Sequence, residues 1–305
     1  VRFTPQNSAL VRQKLRESDP YTIRLAIELA GKYRDPEAAS ALIGYLDHTD
    51  IVIVQEARSA LRKIGLPATP ALLQIIQDRS QLASKRILCL EALSIVGYRS
   101  LDITTQLEAC LQEGQEGNLE LLSAAVEAAA NLRDLSNSIY ARETLVSSAY
   151  KDAKLLNSAA VLLAIEPSSS DFPAISHGFE TLSTLWKSDN TQFPHLLLSN
   201  ILKTLSRIDQ ADAKEFLHQI LTQCLNQSNN LHPYDAIQFI AFSRYEYGFE
   251  LLLDDLSNQF KTQLFTNSGR LFEVLSQIWE PNILGKLKLK LDQIKHEGFD
   301  LLEAL

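Results

Sequence analysis

Three cysteines, six histidines and 37 carboxylates are the side chains with which this chain of 305 residues could do chemistry. A thiol attacks only as the thiolate, and cationic neighbours are what lower its pKa. Cys89, in Lys85-Arg86-Ile87-Leu88-Cys89-Leu90, is better placed in this respect than Cys110 or Cys224. Its position in the helical periodicity nevertheless assigns it to a packed seam, which predicts a small buried core residue. Glu215-x-x-His218 sets a carboxylate and an imidazole on one helix face, half of a carboxylate-bridged di-metal motif. The sequence carries no second half, so a surface hydrogen-bonding pair is expected. His48, His177, His195 and His232 fall in expected loops and helix ends, where turn and capping roles are commoner than catalysis. There is no G-x-S-x-G, no P-loop, no G-x-G-x-x-G and no H-E-x-x-H. The sequence therefore predicts no catalytic residue and no metal site.

Composition narrows the partners. With 46% apolar and 22% charged residues the chain has the make-up of a globular protein, not of a disordered tail or a disulfide scaffold. Lys and Arg number 29 against 37 Asp and Glu, a net charge of -8, so nucleic acid is disfavoured as a partner. Cysteines without C-x-x-C spacing suit a reducing compartment, and a cytoplasmic location is expected. No run approaches the roughly 18 apolar residues of a membrane span, and the first fifteen residues, with Arg2, Arg12 and Lys14, lack the apolar centre of a signal peptide. No membrane insertion is expected.

The elements that must position any site are helices. Apolar residues recur at helical spacing, as in Ile23, Ala26, Ile27, Ala30 and in Leu197, Ile201, Leu205, Ile208. Ile51-Val52-Ile53-Val54 could be a strand alone, but it runs into Glu56-Ala57-Arg58-Ser59-Ala60-Leu61, and a helix is predicted. Shifting the sequence by 31 residues places Ala26 on Ala57, Lys32 on Lys63, Pro36 on Pro67 and Leu42 on Leu73. A further shift of 32 carries Ala60, Leu61, Ile64 and Gly65 onto Ala92, Leu93, Val96 and Gly97. Asp19-Pro20 and Asp35-Pro36 each join a capping carboxylate to a proline whose missing N–H the first helical turn does not need. The unit is a helical hairpin. Boundaries fall near 19–48, 50–78, 82–113, 118–150, 152–187, 192–227, 232–262 and 266–296. Since one hairpin cannot bury its own apolar stripe, such units stack.

The run Ile23-Arg24-x-Ala26-x-x-Leu29-Ala30-x-Lys32-Tyr33-x-Asp35-Pro36-x-Ala38-x-x-x-Leu42 resembles the short HEAT-type repeat, in particular that of phycobilisome bilin lyases and their relatives. The resemblance covers the first 113 residues or so; the second copy departs with Gln55 where arginine is usual, and the third has lost the Asp-Pro turn. It implies an all-α fold, a right-handed α-α superhelix of about eight hairpins, armadillo-like in build. A single solenoid over 1–305 is expected, with an N-terminal cap at 1–18, regular repeats at 19–150 and degenerate repeats with a C-terminal cap at 151–305. A di-iron hydroxylase of this repeat class holds its metals with several His-Glu dipeptides. Here there is only His296-Glu297, and the early repeats carry Gln55-Glu56 instead.

With no catalytic constellation, a protein-binding scaffold is the first expectation, gripping a partner on the concave face formed by the second helices. Tyr45, Tyr140, Arg142, Glu143, Phe179 and Trp186 fall on those helices. Arg58, Arg62 and Lys63, with Lys85 and Arg86, form a basic group on the first helices, suited to a protein partner on the outer side. Residues 51–100 hold seven basic and three acidic side chains and residues 101–150 two and eight, which predicts a dipole along the array. Lys286, Lys288, Lys290 and Lys295 form a basic stripe on the last expected helix. No cofactor is predicted on this reading. The resemblance implies an alternative, a bilin lyase or chromophore chaperone taking an open-chain tetrapyrrole such as phycocyanobilin, with Glu143, Arg142 and Tyr140 as one corner of its groove and a hetero-pair with another repeat protein as its working form.

Overall fold

The computed structural model describes residues 5–147, 152–188 and 195–225, together with positions 236, 239, 240, 251, 289 and 292. The described residues are all-α, with no strand among them. They divide into two compact units, Val1–Ile165 and Glu166–Leu305.

In the first unit, α1 (Pro5–Lys14) precedes α2 (Pro20–Lys32) and α3 (Ala39–Ile43), then α4 (Ile51–Ile64) and α5 (Thr69–Gln77), α6 (Ala83–Val96) and α7 (Leu101–Gln115), α8 (Leu119–Asn131) and α9 (Ser138–Val146), and α10 (Ala153–Leu163). The first helices α2, α4, α6, α8 and α10 stack in sequence order, while α3, α5, α7 and α9 each lean on the first helix of the next hairpin. The stack closes over Ile27, Leu42, Ile53, Leu61, Leu72, Ile76, Leu90, Leu93, Ile103 and Leu107, all fully buried. Each such side chain contributes about 1.5–3 kcal/mol by leaving water.

Local sequence explains where the helices begin. Asp19, Asp50, Asn118 and Asp152 cap α2, α4, α8 and α10, their side chains accepting from the backbone N–H of Thr22, Val52, Leu121 and Leu155. Within a hairpin the second helix starts with a short 3₁₀ turn, at Pro36–Ala38, Leu66–Ala68 and Leu135–Asn137. The third hairpin, which lacks the Asp-Pro turn, has no such prelude, and α7 starts directly on its cap Ser100.

Two turns are built alike although 99 residues separate them. Arg34 and Arg133 take φ of 53° and 55°, a left-handed conformation costing a non-glycine residue roughly 1–2 kcal/mol. Each is followed by a buried aspartate: Asp35 accepts from the N–H of Glu37, and Asp134 from that of Ser136 and from the Asn137 side chain. The turns at Gly65 and Gly97 reach positive φ with glycine.

Two glycines set how closely helices approach. A Cβ on Gly31 would lie 2.8 Å from Ala60 Cα, between α2 and α4, and one on Gly114 would lie 2.7 Å from Leu122 Cα, between α7 and α8. The buried Arg86, which the sequence reading placed with an outer basic group, is instead a strut. It donates to the Ile76 carbonyl and, through both terminal nitrogens, to Glu113 at 2.6 and 3.0 Å, tying α5, α6 and α7 together.

In the second unit, α11 (Phe172–Ser188), α12 (His195–Arg207) and α13 (Ala211–Leu225) pack in order. Phe216 receives Phe172 and Phe179 edge-on, at 5.9 and 5.8 Å between centroids. Phe179 is therefore core and not an exposed anchor. The expected hairpin 152–187 corresponds to α10 and α11, one in each unit. The hairpins expected at 232–262 and 266–296, the lysine stripe, His232 and His296-Glu297 lie outside the described residues apart from isolated positions.

Candidate functional site

The second helices of the first unit carry an ordered polar surface. On α9, Tyr140 and Glu143 stand one turn apart, and α7 holds both. Gln112 Nε2 donates to the Tyr140 hydroxyl at 3.1 Å, and Gln115 Nε2 to Glu143 at 2.8 Å. The two glutamines are one turn apart as well, so the contacts form two rungs between neighbouring helices. Arg142 is half-buried on the same helix. Around them Ile139 and Val146 are 52% and 50% exposed, aliphatic side chains with no core to join. The backbone of this stretch is fixed from beneath by the fully buried Thr144, whose hydroxyl donates to the Tyr140 carbonyl.

Tyr45 has a different place. It follows α3, is half-buried, and donates its hydroxyl to the Leu15 carbonyl at the end of α1; burial pushes its phenol pKa up. It closes the first hairpin onto the N-terminal helix. Trp186 belongs to α11, in the other unit, and its side chain lies outside the described residues.

The basic residues of the first helices separate into two groups. Arg58 belongs to a ladder joining successive first helices: Arg24 pairs with Glu56 at 2.7 Å, and Arg58 with Glu91 at 2.5 Å. Arg62 and Lys63, in the last turn of α4, are exposed. The sequence offered no sign that these residues divide, because the acids that engage Arg24 and Arg58 lie a whole repeat away.

Chemistry by a nucleophile finds no support among the described groups. Burial pushes the Cys89 thiol up to about 12, outweighing the nearby Lys85 cation. Cys110 is raised by burial too, and Cys224 is buried. Among the described residues no three His, Cys, Asp or Glu side chains converge as a metal site would require. Glu215 and His218 are both exposed on α13; Glu215 accepts from Gln219, and the His218 carbonyl from Thr222. No helix of the described residues is long and apolar enough to cross a membrane.

Sequence reasoning missed the glutamines, since uncharged donors on different helices carry no recognisable spacing. It also missed the paired Arg-Asp turns. The signal for those was available, as Ala30-x-x-x-Arg34-Asp35 recurs as Ala129-x-x-x-Arg133-Asp134.

The repeating hairpins in the first part of the chain match a known family: the model of HEAT repeats aligns with residues 8–94. The HEAT segment thus runs from α1 into α6 and includes the Arg24–Glu56 and Arg58–Glu91 pairs. Among solved structures the chain is similar to an engineered protein, 15% identical, with 95% of this chain and 89% of that chain covered and a TM-score of 0.38. It is similar as well to the complex of CpcE and CpcF of phycocyanin lyase from Nostoc sp. PCC7120, 14% identical over 92% of this chain and 96% of that chain, with a TM-score of 0.36. A second engineered protein, 16% identical, covers 93% of this chain at a TM-score of 0.26, with 97% of its own length matched. No curated protein matches the sequence at a significant level.

Proposed function

We propose that the chain is a non-enzymatic binding module that holds a protein partner on the second-helix face of its first unit, with α9 at the centre of the contact. The supporting observation is the stripe Ile139, Glu143 and Val146 beside Tyr140. Its aliphatic members are half exposed and its polar members are already tethered to Gln112 and Gln115. Side chains held in place before a partner arrives lose little further rotamer freedom on association. An aromatic ringed by such contacts concentrates binding energy, and stacked repeats present extended faces of this kind.

A photo-crosslinking amino acid at position 139, in the full chain expressed in its source cells, is expected to capture a protein of discrete mass. The same group at Ser59, exposed on α4, is expected to miss it. Indistinguishable products from the two positions would overturn the reading. Mass spectrometry of the captured species reports whether it is another repeat protein. A second reading places an open-chain tetrapyrrole on this face, with Glu143 taking the pyrrole N–H groups, Arg142 a propionate and Tyr140 lying along the ring plane. Phycocyanobilin added to the purified protein then changes its visible spectrum, whereas a protein-binding face leaves the spectrum as it was.

A further inference from the structure

The first helices α2 and α4 point the same way, as successive units of a stacked array do. Two kinds of contact show it: Arg24 meets Glu56 in the first halves of α2 and α4, and Gly31 meets Ala60 in their second halves. Capping aspartates therefore collect along one edge of the first unit, at Asp19, Asp50 and Asp152, joined by the exposed Asp47, Asp78 and Glu116. The other edge, where first helices turn into second helices, carries Lys32, Arg34, Arg62, Lys63, Arg99 and Arg133, every one exposed. Ion pairs elsewhere in the unit take up Arg12, Arg24, Arg58, Arg79, Arg86 and Lys154. Among the described residues none of the six edge cations is in an ion pair. Most acids of this edge are withdrawn, since Asp35 and Asp134 are buried in their turns and Glu37 is bound to Arg12; Glu28 lies a turn further down α2, and Asp102, in the first turn of α7, is the exposed acid that stays beside Arg99.

Favourable interaction with helix C-termini accounts for Lys32, Arg62 and Lys63. It does not account for Arg34, Arg99 and Arg133, which lie beyond the helix ends. Arg34 and Arg133 hold a left-handed backbone that glycine would adopt without strain, and strained backbone is a reason to look for function. The edge is also continuous across hairpins. Lys63 reaches to within 3.4 Å of where a Cβ on Gly31 would be, and Arg99 donates to the Arg133 carbonyl at 3.1 Å. The exposed Tyr98 stands beside Arg99, and Lys32 Nζ lies 5.9 Å from the Tyr33 ring centroid.

We propose that this turn edge binds an acidic segment of the protein partner, a refinement that rests on the binding-module reading above. Stacked helices stand about 8–10 Å apart, and an extended chain rises about 3.3 Å per residue, so an acid at every third residue meets one turn after another. A polyphosphate, charged at closer and uniform intervals, gains less from this spacing.

The test uses the full chain and a short fluorescein-labelled peptide with glutamate at every third position and serine and glycine between. Fluorescence anisotropy is expected to show binding that weakens at least about tenfold in the Arg34→Gly/Arg99→Gln/Arg133→Gly variant, and that falls between about 50 and 500 mM salt. Glycine suits both left-handed turns, so the variant's melting temperature is expected not to drop, and the loss is then a loss of charge. Equal affinity in the variant, or tighter binding of single-stranded DNA of the same charge, overturns the assignment. Absence of peptide binding while position 139 still cross-links its partner removes the edge and leaves the binding module standing; loss of both removes both.

Discussion

Arg86 shows what one residue does when its charge is taken out of water. Its side chain is 4% exposed, its fork is filled by Glu113, and Arg79 approaches the same carboxylate at 3.4 Å. Hydrogen bonding from Arg86 lowers the Glu113 pKa. A depressed carboxylate stabilises the fold fully above its unfolded value of about 4.3, and that stability drains away as pH falls through the folded value. Glu113→Gln leaves a buried guanidinium without its counter-charge and is expected to destabilise by about 2–4 kcal/mol at neutral pH, less than a fully buried pair because Glu113 is partly exposed. Urea unfolding at pH 7 and again at pH 3 checks this: the gap between wild type and variant narrows in acid. The thiols give a second residue-scale expectation. With Cys89 pushed up to about 12 and all three cysteines buried, Ellman's reagent is expected to find almost no reactive thiol in the native protein at pH 8 and three once it is unfolded. A stoichiometric native reaction would reopen the case for a nucleophile.

At the scale of helices, spacing between elements is set by what is missing from Gly114. A methyl group there meets the backbone of Leu122, which cannot rotate aside, so α7 and α8 must separate. Gly114→Ala is expected to cost about 1–3 kcal/mol by overpacking, and to lower the melting temperature by several degrees. Gly44→Ala, where the nearest atom is at 3.2 Å, serves as the milder comparison. The helices themselves were legible in the sequence because their evidence is local: period 3.6, Asp-Pro starts and the 31-residue recurrence place α2 to α8 closely. Arg86 was not legible, since nothing within one helix distinguishes it from Lys85, and the acid that makes its burial tolerable lies 27 residues on. Tyr45 and Phe179 were found as second-helix aromatics, but whether each is anchor or mortar depends on neighbours, Leu15 and Phe216, that periodicity does not supply.

For the first unit as a whole, charge has a direction that counting along the chain conceals. Residues 51–100 and 101–150 differ in net sign, yet the exposed charge also divides across the stack, because parallel first helices put capping acids on one edge and trailing cations on the other. The HEAT segment shares another property of parallel stacking: each join is made between nearest neighbours, as with Arg24 and Glu56, 32 residues apart. A load applied to one end therefore works on a single join before it reaches the next. The unit should behave as a leaf spring with discrete leaves, lengthening in jumps of about 11 nm as one hairpin after another lets go. Single-molecule stretching that gave one all-or-none rupture would instead mean that the leaves are welded.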